Sequence, residues 1–107
     1  MSQDVVCERT YQMVIDGQAR PIPVRWLRPA PDAIDWCCEF QIDWPHQAPE
    51  HLKIYGVDSV QALYLALQMA ASVLCTAQPP VFLYEPGDDL NLPHLTDIKD
   101  AGARDRL

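Results

Sequence analysis

Val5-Val6-Cys7-Glu8-Arg9-Thr10-Tyr11-Gln12-Met13-Val14-Ile15-Asp16-Gly17-Gln18-Ala19-Arg20-Pro21-Ile22-Pro23-Val24-Arg25-Trp26 is the stretch that decides the fold. Val5, Cys7, Tyr11, Met13 and Ile15 alternate with Val6, Glu8, Thr10, Gln12 and Val14, the period of two that a half-buried strand requires. Arg9 is the misfit on the apolar side. Asp16-Gly17 then supplies residues that tolerate the positive φ of a type I′ turn. A two-residue loop there sets Tyr11 opposite Ile22 and Cys7 opposite Trp26. In that register Ile22, Val24 and Trp26 form the apolar face of the second strand, so two independent alternations agree. Pro21 and Pro23 fall opposite Gln12 and Thr10 at non-hydrogen-bonded sites. Their missing N–H groups therefore point away from the first strand, and the start of the second is expected to be an exposed edge.

Further strands follow. Pro29-Ala30-Pro31-Asp32 ends the second, and Trp36, Cys38, Phe40, Ile42 and Trp44 then alternate with Cys37, Glu39, Gln41 and Asp43 as a third. A loop over 45–50 leads to a short fourth strand around Leu52 to Tyr55. Gly56 closes it, Asp58-Ser59 starts a helix, and Pro79-Pro80 bounds that helix after about Thr76. Val81 to Tyr84 is a fifth short strand or a segment packed on the helix. Glu85 to Asp89 is a turn, and the tail from His94 to Leu107 is expected to be flexible.

The chain has 107 residues, 49% of them hydrophobic, which fits one domain with a single core and excludes disorder. Fifteen acids against eight bases give a net charge of −7, which argues against nucleic acid and against an anionic membrane surface as partners. The first residues show neither a basic n-region nor an apolar h-region, so the expected location is the cytoplasm with Cys7, Cys37, Cys38 and Cys75 reduced. Val60 to Ala77 carries no charge, but Gln61, Gln68, Ser72 and Thr76 interrupt it and no basic cluster flanks it, which argues against a membrane span.

Charge is segregated. Residues 32–58 hold six acids and one base, whereas residues 59–84 hold no charged side chain at all. On a helical wheel Val60, Leu63, Tyr64, Leu67, Ala71 and Leu74 cluster as the expected core face. The opposite side carries Ala62, Leu65, Ala66, Met69 and Val73, and only Gln61, Gln68, Ser72 and Thr76 form a polar wedge. A helix apolar nearly all round is covered on two sides. Either residues 81–95 wrap back over it, or a partner protein or a second copy docks there.

No motif commits the chain to chemistry. Cys37-Cys38 with His46 and His51 downstream invites a metal reading, but adjacent strand residues point to opposite faces, leaving Cys38 in the core and Cys37 at the surface. His46, His51 and His94 lie in expected loops without a nucleophile beside them. Glu85, Asp88, Asp89 and Asn91 lack the ligand spacing of a calcium loop. Gly56 at the helix start reads as a glycine relieving a tight strand-to-helix junction rather than as part of an anion site, since Asp58 would repel an anion. Trp26, Trp36 and Trp44 read as core.

Tyr55-Gly56-Val57-Asp58-Ser59-Val60-Gln61-Ala62-Leu63, continuing through Ala66-Leu67, resembles the helix-start signature of a family of small uncharacterised bacterial proteins, a domain of unknown function of about this chain's length. The Trp36-x-Cys38-x-Phe40-x-Ile42 strand and the Asp16-Gly17 hairpin are similar to that family too. The resemblance spans about residues 5–90. It implies a stand-alone bacterial cytoplasmic domain and lends no catalytic residues.

The expected fold is α+β, a curved antiparallel sheet of four to five strands with one long helix packed across one face. One domain is expected, ordered over about 5–93. The expected function is a non-catalytic protein-interaction domain, in the manner of an acidic inhibitor or immunity-like binder of a basic partner, with a homodimer as the other form of association. Leu65, Met69, Val73 and Gln68 with Glu39 and Asp43 are the candidate partner-binding residues. The alternative is a small-molecule-binding or accessory enzyme domain with a pocket between helix and sheet near Trp44, Tyr55 and Cys38. No catalytic residue, metal or cofactor is expected.

Overall fold

The protein is described by a computed structural model covering residues 4–93. β1 (Val5–Ile15) and β2 (Gln18–Leu27) form the expected hairpin, in which Tyr11 pairs with Ile22 and Cys7 with Trp26. Asp16 and Gly17 both have positive φ, 53° and 78°, as a type I′ turn requires. Pro21 and Pro23 pair with Gln12 and Thr10 as the register demands. Among the described residues, the far edge of β2 is paired in the sheet only over Val24 to Trp26, and the Pro23 carbonyl accepts the Asp43 N–H at 2.9 Å. The start of β2 is thus the blunted edge expected from its prolines.

The remaining elements are β3 (Ala30–Asp32), β4 (Asp35–Ile42), β5 (Glu50–Gly56), α1 (Ser59–Cys75) and β6 (Val81–Phe82). They build one antiparallel six-stranded sheet, ordered β3-β4-β2-β1-β6 with β5 on the other edge of β4. The sheet is open, with one helix packed against it. Its extra strand relative to the sequence reading is β3. The segment Ala30-Pro31-Asp32, read as the end of β2, turns through Ala33-Ile34 and pairs back on β4. No helix among the described residues is long and apolar enough to cross a membrane.

Period-two alternation sends Tyr11, Met13, Ile22, Val24, Trp26, Cys38, Phe40 and Ile42 to one face, where all are buried with α1. The helix meets that face differently from the wheel's core assignment. Ala62, Ala66 and Ala70 are fully buried, while Val60 and Tyr64 are 75% and 40% exposed. Ala71 and Leu74 are buried as expected, and Leu63 and Leu67 are partly buried. The cause is close approach rather than bulk. Gly56 lies against the backbone of Ala62, and the Trp26 indole Nε1 donates to the Ala66 carbonyl at 3.3 Å. Only a ridge of alanines lets the helix axis come that near, and Trp26 and Phe40 fill the volume from the sheet side.

The chain after α1 does not cover the outer side of the helix within its described part. β6 extends the sheet beyond β1, and Leu83, Leu90 and Leu92 join the core beside Tyr11 and Met13. Arg9 explains itself here. Its guanidinium donates to the carbonyls of Leu90 (3.1 Å) and Asn91 (2.8 Å) and lies 5.9 Å from the centre of the Tyr11 ring. The Tyr11 hydroxyl donates to the Leu90 carbonyl at 2.6 Å. One misplaced cation thus straps the C-terminal segment across β1. His94, and the tail expected to be flexible, lie outside the described residues.

Candidate interaction surface

The residues singled out from the sequence do not form one site. On the helix, Met69 is 37% exposed and Leu65 and Val73 are half-buried. Gln68 is corrected: it is fully buried, because the second half of α1 is enclosed more completely than the first, with Ala70, Ala71 and Leu74 equally inaccessible. Glu39 and Asp43 stand on the opposite face of the sheet, since odd-numbered residues of β4 point away from the helix. Asp43 accepts from the Arg25 guanidinium at 2.8 Å, and Glu39 is bound by His51. The two halves of that candidate set therefore face opposite sides of the molecule.

The alternative pocket is divided in the same way. Cys38 and Trp44 belong to the packed core, the latter donating through Nε1 to Glu50 at 2.7 Å, whereas Tyr55 lies on the open face beside Cys37. These three side chains line no common cavity. Cys38 is fully inaccessible, and burial pushes its thiol up to about 11. Burial, with Glu39 and Asp32 nearby, also raises Cys37 above the ordinary thiol value. Neither thiol is an activated nucleophile at neutral pH.

The other motifs have structural occupations. Asp58 caps α1, its Oδ1 accepting from the Gln61 N–H at 2.8 Å while the Gln61 side chain accepts from the Val57 N–H at 2.7 Å, a reciprocal capping arrangement. Asp88 accepts from the backbone N–H groups of Leu83, Tyr84 and Glu85, which hold its carboxyl below the ordinary aspartate value. His46 stands edge-on to Trp44. Among the described residues no three His, Cys, Asp or Glu side chains are grouped to hold a metal ion.

The feature that stands out lies at one end of the sheet. β3 and β4 are joined by Ala33-Ile34, with Ala33 in the left-handed region at φ 57° and Ile34 93% exposed. That backbone conformation costs an L-residue about 1–2 kcal/mol. The pairing of Trp36 with Gly56 carries the β5–α1 junction to the same end, where Val57 is 72% exposed next to Val60. A cleft of about 370 Å³ opens between them, lined by Arg28, Pro29, Trp36, Ser59, Val60 and Leu63. Trp36 is the half-buried tryptophan, whereas Trp26 and Trp44 are buried.

The acids near this end do not share one face: Asp58 caps α1, whereas Asp32 and Asp35 point, like Cys37, to the open face of the sheet, where Asp32 borders a separate cavity with Cys37, Glu39 and Lys53. Asp32, Asp35 and Asp58 are all exposed, and among the described residues no cation pairs with them. Arg28 is engaged by Asp4 at 2.9 Å. The residues after Pro93 hold three acids and three bases, so the whole net charge of −7 belongs to the described body.

The sequence reading missed this end for identifiable reasons. Helical spacing groups Val60 with Leu63, Tyr64 and Leu67 on the wheel's apolar stripe. Ile34 lies two residues before Trp36 and so extends the apolar alternation of β4, which marks it as buried although the turn leaves it exposed.

A family model for a domain of unknown function, DUF6968, matches residues 7–80. The chain belongs to the DUF6968 family. The match takes in the β1–β2 hairpin, β4 and the Tyr55-Gly56-Val57-Asp58 junction, and therefore the whole apolar end. β6 and the Leu83, Leu90 and Leu92 contacts of this DUF6968 chain lie beyond the matched residues. No curated protein and no solved structure matches it.

Proposed function

We propose that this DUF6968 protein is a non-catalytic protein-interaction domain of the bacterial cytoplasm, an inhibitor- or immunity-like binder that docks a basic partner on the β3–β4 and β5–α1 end. The observation that carries the reading is the exposure of three large aliphatic side chains there, Ile34, Val57 and Val60, around a cleft floored by Trp36. Clustered exposed apolar residues mark interaction sites, and tryptophan is over-represented among the residues that dominate binding energy. The net charge of −7, carried by the described body, favours a positively charged partner and speeds its approach.

The test is affinity capture from native lysate with paired variants. Ile34→Asp with Val60→Asp is expected to lose the partner that the wild type recovers, while Leu65→Asp with Met69→Asp keeps it. If both pairs recover the same partner at wild-type yield, this surface is not the docking site. Light scattering on the same proteins reads self-association, and a wild-type dimer broken only by the Ile34/Val60 pair would replace the foreign partner with a second copy.

A further inference from the structure

We infer that β5 is the pairing edge of a homodimer: two copies join their β5 strands antiparallel about a two-fold axis at Lys53, which extends the sheet across both subunits and sets the two α1 helices side by side. This surface is separate from the cleft beside Trp36, and the inference goes beyond the interaction-domain reading.

The free backbone groups of β5 follow from the register. The Pro23 carbonyl accepts the Asp43 N–H, so odd-numbered residues of β4 turn their backbone groups toward β2 and even-numbered ones toward β5. Trp36, Cys38 and Phe40 stand opposite Gly56, Ile54 and Leu52. The even-numbered residues of β5 are therefore bonded to β4, while His51, Lys53 and Tyr55 each aim an N–H and a C=O away from it. Next in that outward series is the Val57 N–H, which the Gln61 side chain already occupies at 2.7 Å. Among the described residues β5 pairs with β4 alone, so no strand takes up the outward groups of the other three. Other edges are blunted. β3 has three residues including Pro31, β6 has two behind Pro79-Pro80, and the start of β2 carries Pro21 and Pro23. β5 has seven residues and no proline.

A row of outward N–H and C=O groups is completed by another strand, and β5 completes itself. With Lys53 on the axis, His51 pairs with the partner's Tyr55 and Lys53 with the partner's Lys53. Each such pair exchanges two hydrogen bonds, so every free group of one copy meets a free group of the other. Sliding the partner by two residues leaves the end of each row unbonded. At the intervening sites, where cross-strand side chains come closest, the half-buried Leu52 meets the partner's Ile54 on the helix side. Lys53 against the partner's Lys53 is the unfavourable pair, and Glu39, opposite Lys53 on β4, sets a carboxylate on the outer flank of each.

The helix supplies the rest of the surface. Val60 and Leu63 line the cleft over Trp36 of β4, so Leu65 and Met69, on the opposite side of α1, lie toward the outer side of β5. Leu65 is half-buried there and Met69 exposed. A two-fold axis perpendicular to the sheet places both helices on one face. With strands about 4.8 Å apart, helices seated above β4 and β5 come about 10 Å from each other, the spacing at which helices pack. Leu65 and Met69 of the two copies then fill the space between them. An unrelated strand would complete the ladder but bring no helix to cover these side chains.

Sedimentation equilibrium and amide hydrogen exchange on the full chain test the pairing. The wild type is expected to be a dimer that dissociates on dilution. Dilution should expose the amides of His51, Lys53 and Tyr55, while those of Leu52 and Ile54, bonded to β4, stay protected. Lys53→Pro removes one outward N–H and no bond to β4, so the chain still folds by circular dichroism but no longer pairs. Leu65→Asp with Met69→Asp also gives a monomer, by setting carboxylates against each other across the axis. Lys53→Thr removes the like-charge pair and is expected to tighten the dimer about two- to fivefold. Added salt strengthens the dimer, since each copy carries a net charge of −7, whereas it weakens capture of a basic partner.

A chain that stays monomeric up to about 1 mM overturns the inference. So does a dimer that survives both Lys53→Pro and the Leu65/Met69 pair, or one broken only by Ile34→Asp with Val60→Asp. Protection of the three outward amides by a foreign strand on a monomeric chain replaces the second copy with that occupant. The interaction-domain reading falls separately, when captured partners ignore the Ile34/Val60 substitutions.

Discussion

Gly56→Ala tests the packing on which both the fold and the surface depend. A β-carbon at this position would stand 2.5 Å from the Ala62 backbone nitrogen and 2.9 Å from the Ala62 Cα and the Gln61 carbonyl carbon. Gly56 has no positive φ, so space rather than conformation demands the glycine. The obstacles are backbone atoms in the first turn of α1, and the Ala62 N–H already donates to the Asp58 carbonyl at 3.0 Å. That turn cannot yield by rotating a side chain; it must lift as a unit from β5. Overpacking of this kind costs about 1–3 kcal/mol, and the backbone contacts place it near about 3. Out of a typical total of about 5–15 kcal/mol this is a large loss. A urea slope of about 1 kcal/mol per molar makes the midpoint fall by about 2–3 M, with a melting temperature lower by about 12–20 °C. Urea melts followed by circular dichroism measure it. Ala62→Gly on top of Gly56→Ala is expected to give no rescue, because the clash is with backbone. A Gly56→Ala midpoint within about 0.5 kcal/mol of the wild type refutes the close-approach argument.

Tyr11→Phe removes the hydroxyl that donates to the Leu90 carbonyl, and is expected to cost about 1–1.5 kcal/mol and to speed proteolysis within residues 83–93; unchanged cleavage would show that the strap is not held there. Asp88→Asn should change the acid limb of stability. The native carboxyl titrates below its unfolded value, so its contribution is complete above the ordinary aspartate range and disappears as pH falls through the native value. Wild type should therefore lose more stability than the variant between about pH 5 and pH 3, read from urea midpoints, and parallel curves would contradict the assignment. At about pH 8 a thiol reagent should modify Cys75 and Cys7, both exposed, while Cys38 reacts only on unfolding, its thiol being pushed up to about 11. Mass spectrometry of partly labelled protein that finds Cys38 modified as fast as Cys75 would count against its burial.

What could be read from the sequence was local. The β1–β2 hairpin, its register and the placement of Pro21 and Pro23 follow from a turn dipeptide and two alternations that must agree, and no distant contact is needed to settle them. The helix bounds were equally legible, because Asp58 and Gln61 are cap residues in sequence order. The face of the helix was not, since bulk points to Val60 and Tyr64 while the sheet selects Ala62, Ala66 and Ala70 by proximity, and proximity is a tertiary quantity. Arg9 illustrates the same limit. It is anomalous in β1 alone and becomes intelligible only when residues eighty positions later bring Leu90 and Asn91 to its guanidinium. The proposed site was half visible: the acidic run over 32–58 marked the region, but Glu39, Asp43, Asp32 and Asp35 share the sheet's open face, and the side chains at the cleft, Trp36, Val60 and Leu63, belong to the other.

The fold and the surface then share one cause. Turning the alanine ridge of α1 toward the sheet lets the helix backbone touch Gly56, and a helix so oriented cannot also bury Val60. Had the bulky stripe faced the sheet, Val60 and Tyr64 would sit in the core, the helix would stand farther off, and the cleft against Trp36 would close. Close packing at β5 thus places an apolar residue at the rim of that cleft. Exposing it costs solubility as well as hydrophobic stabilisation, and the net charge of −7 opposes indiscriminate association of the body that carries it. The expected consequence is that a Gly56→Ala protein, even if it folds, shifts the Val60 wall relative to Trp36 and loses the partner whose capture depends on Ile34 and Val60, along with stability. Destabilisation by Tyr11→Phe, two strands away on β1, leaves that capture intact. A Gly56→Ala protein that captured that partner at wild-type yield would separate the packing from the surface and break this argument.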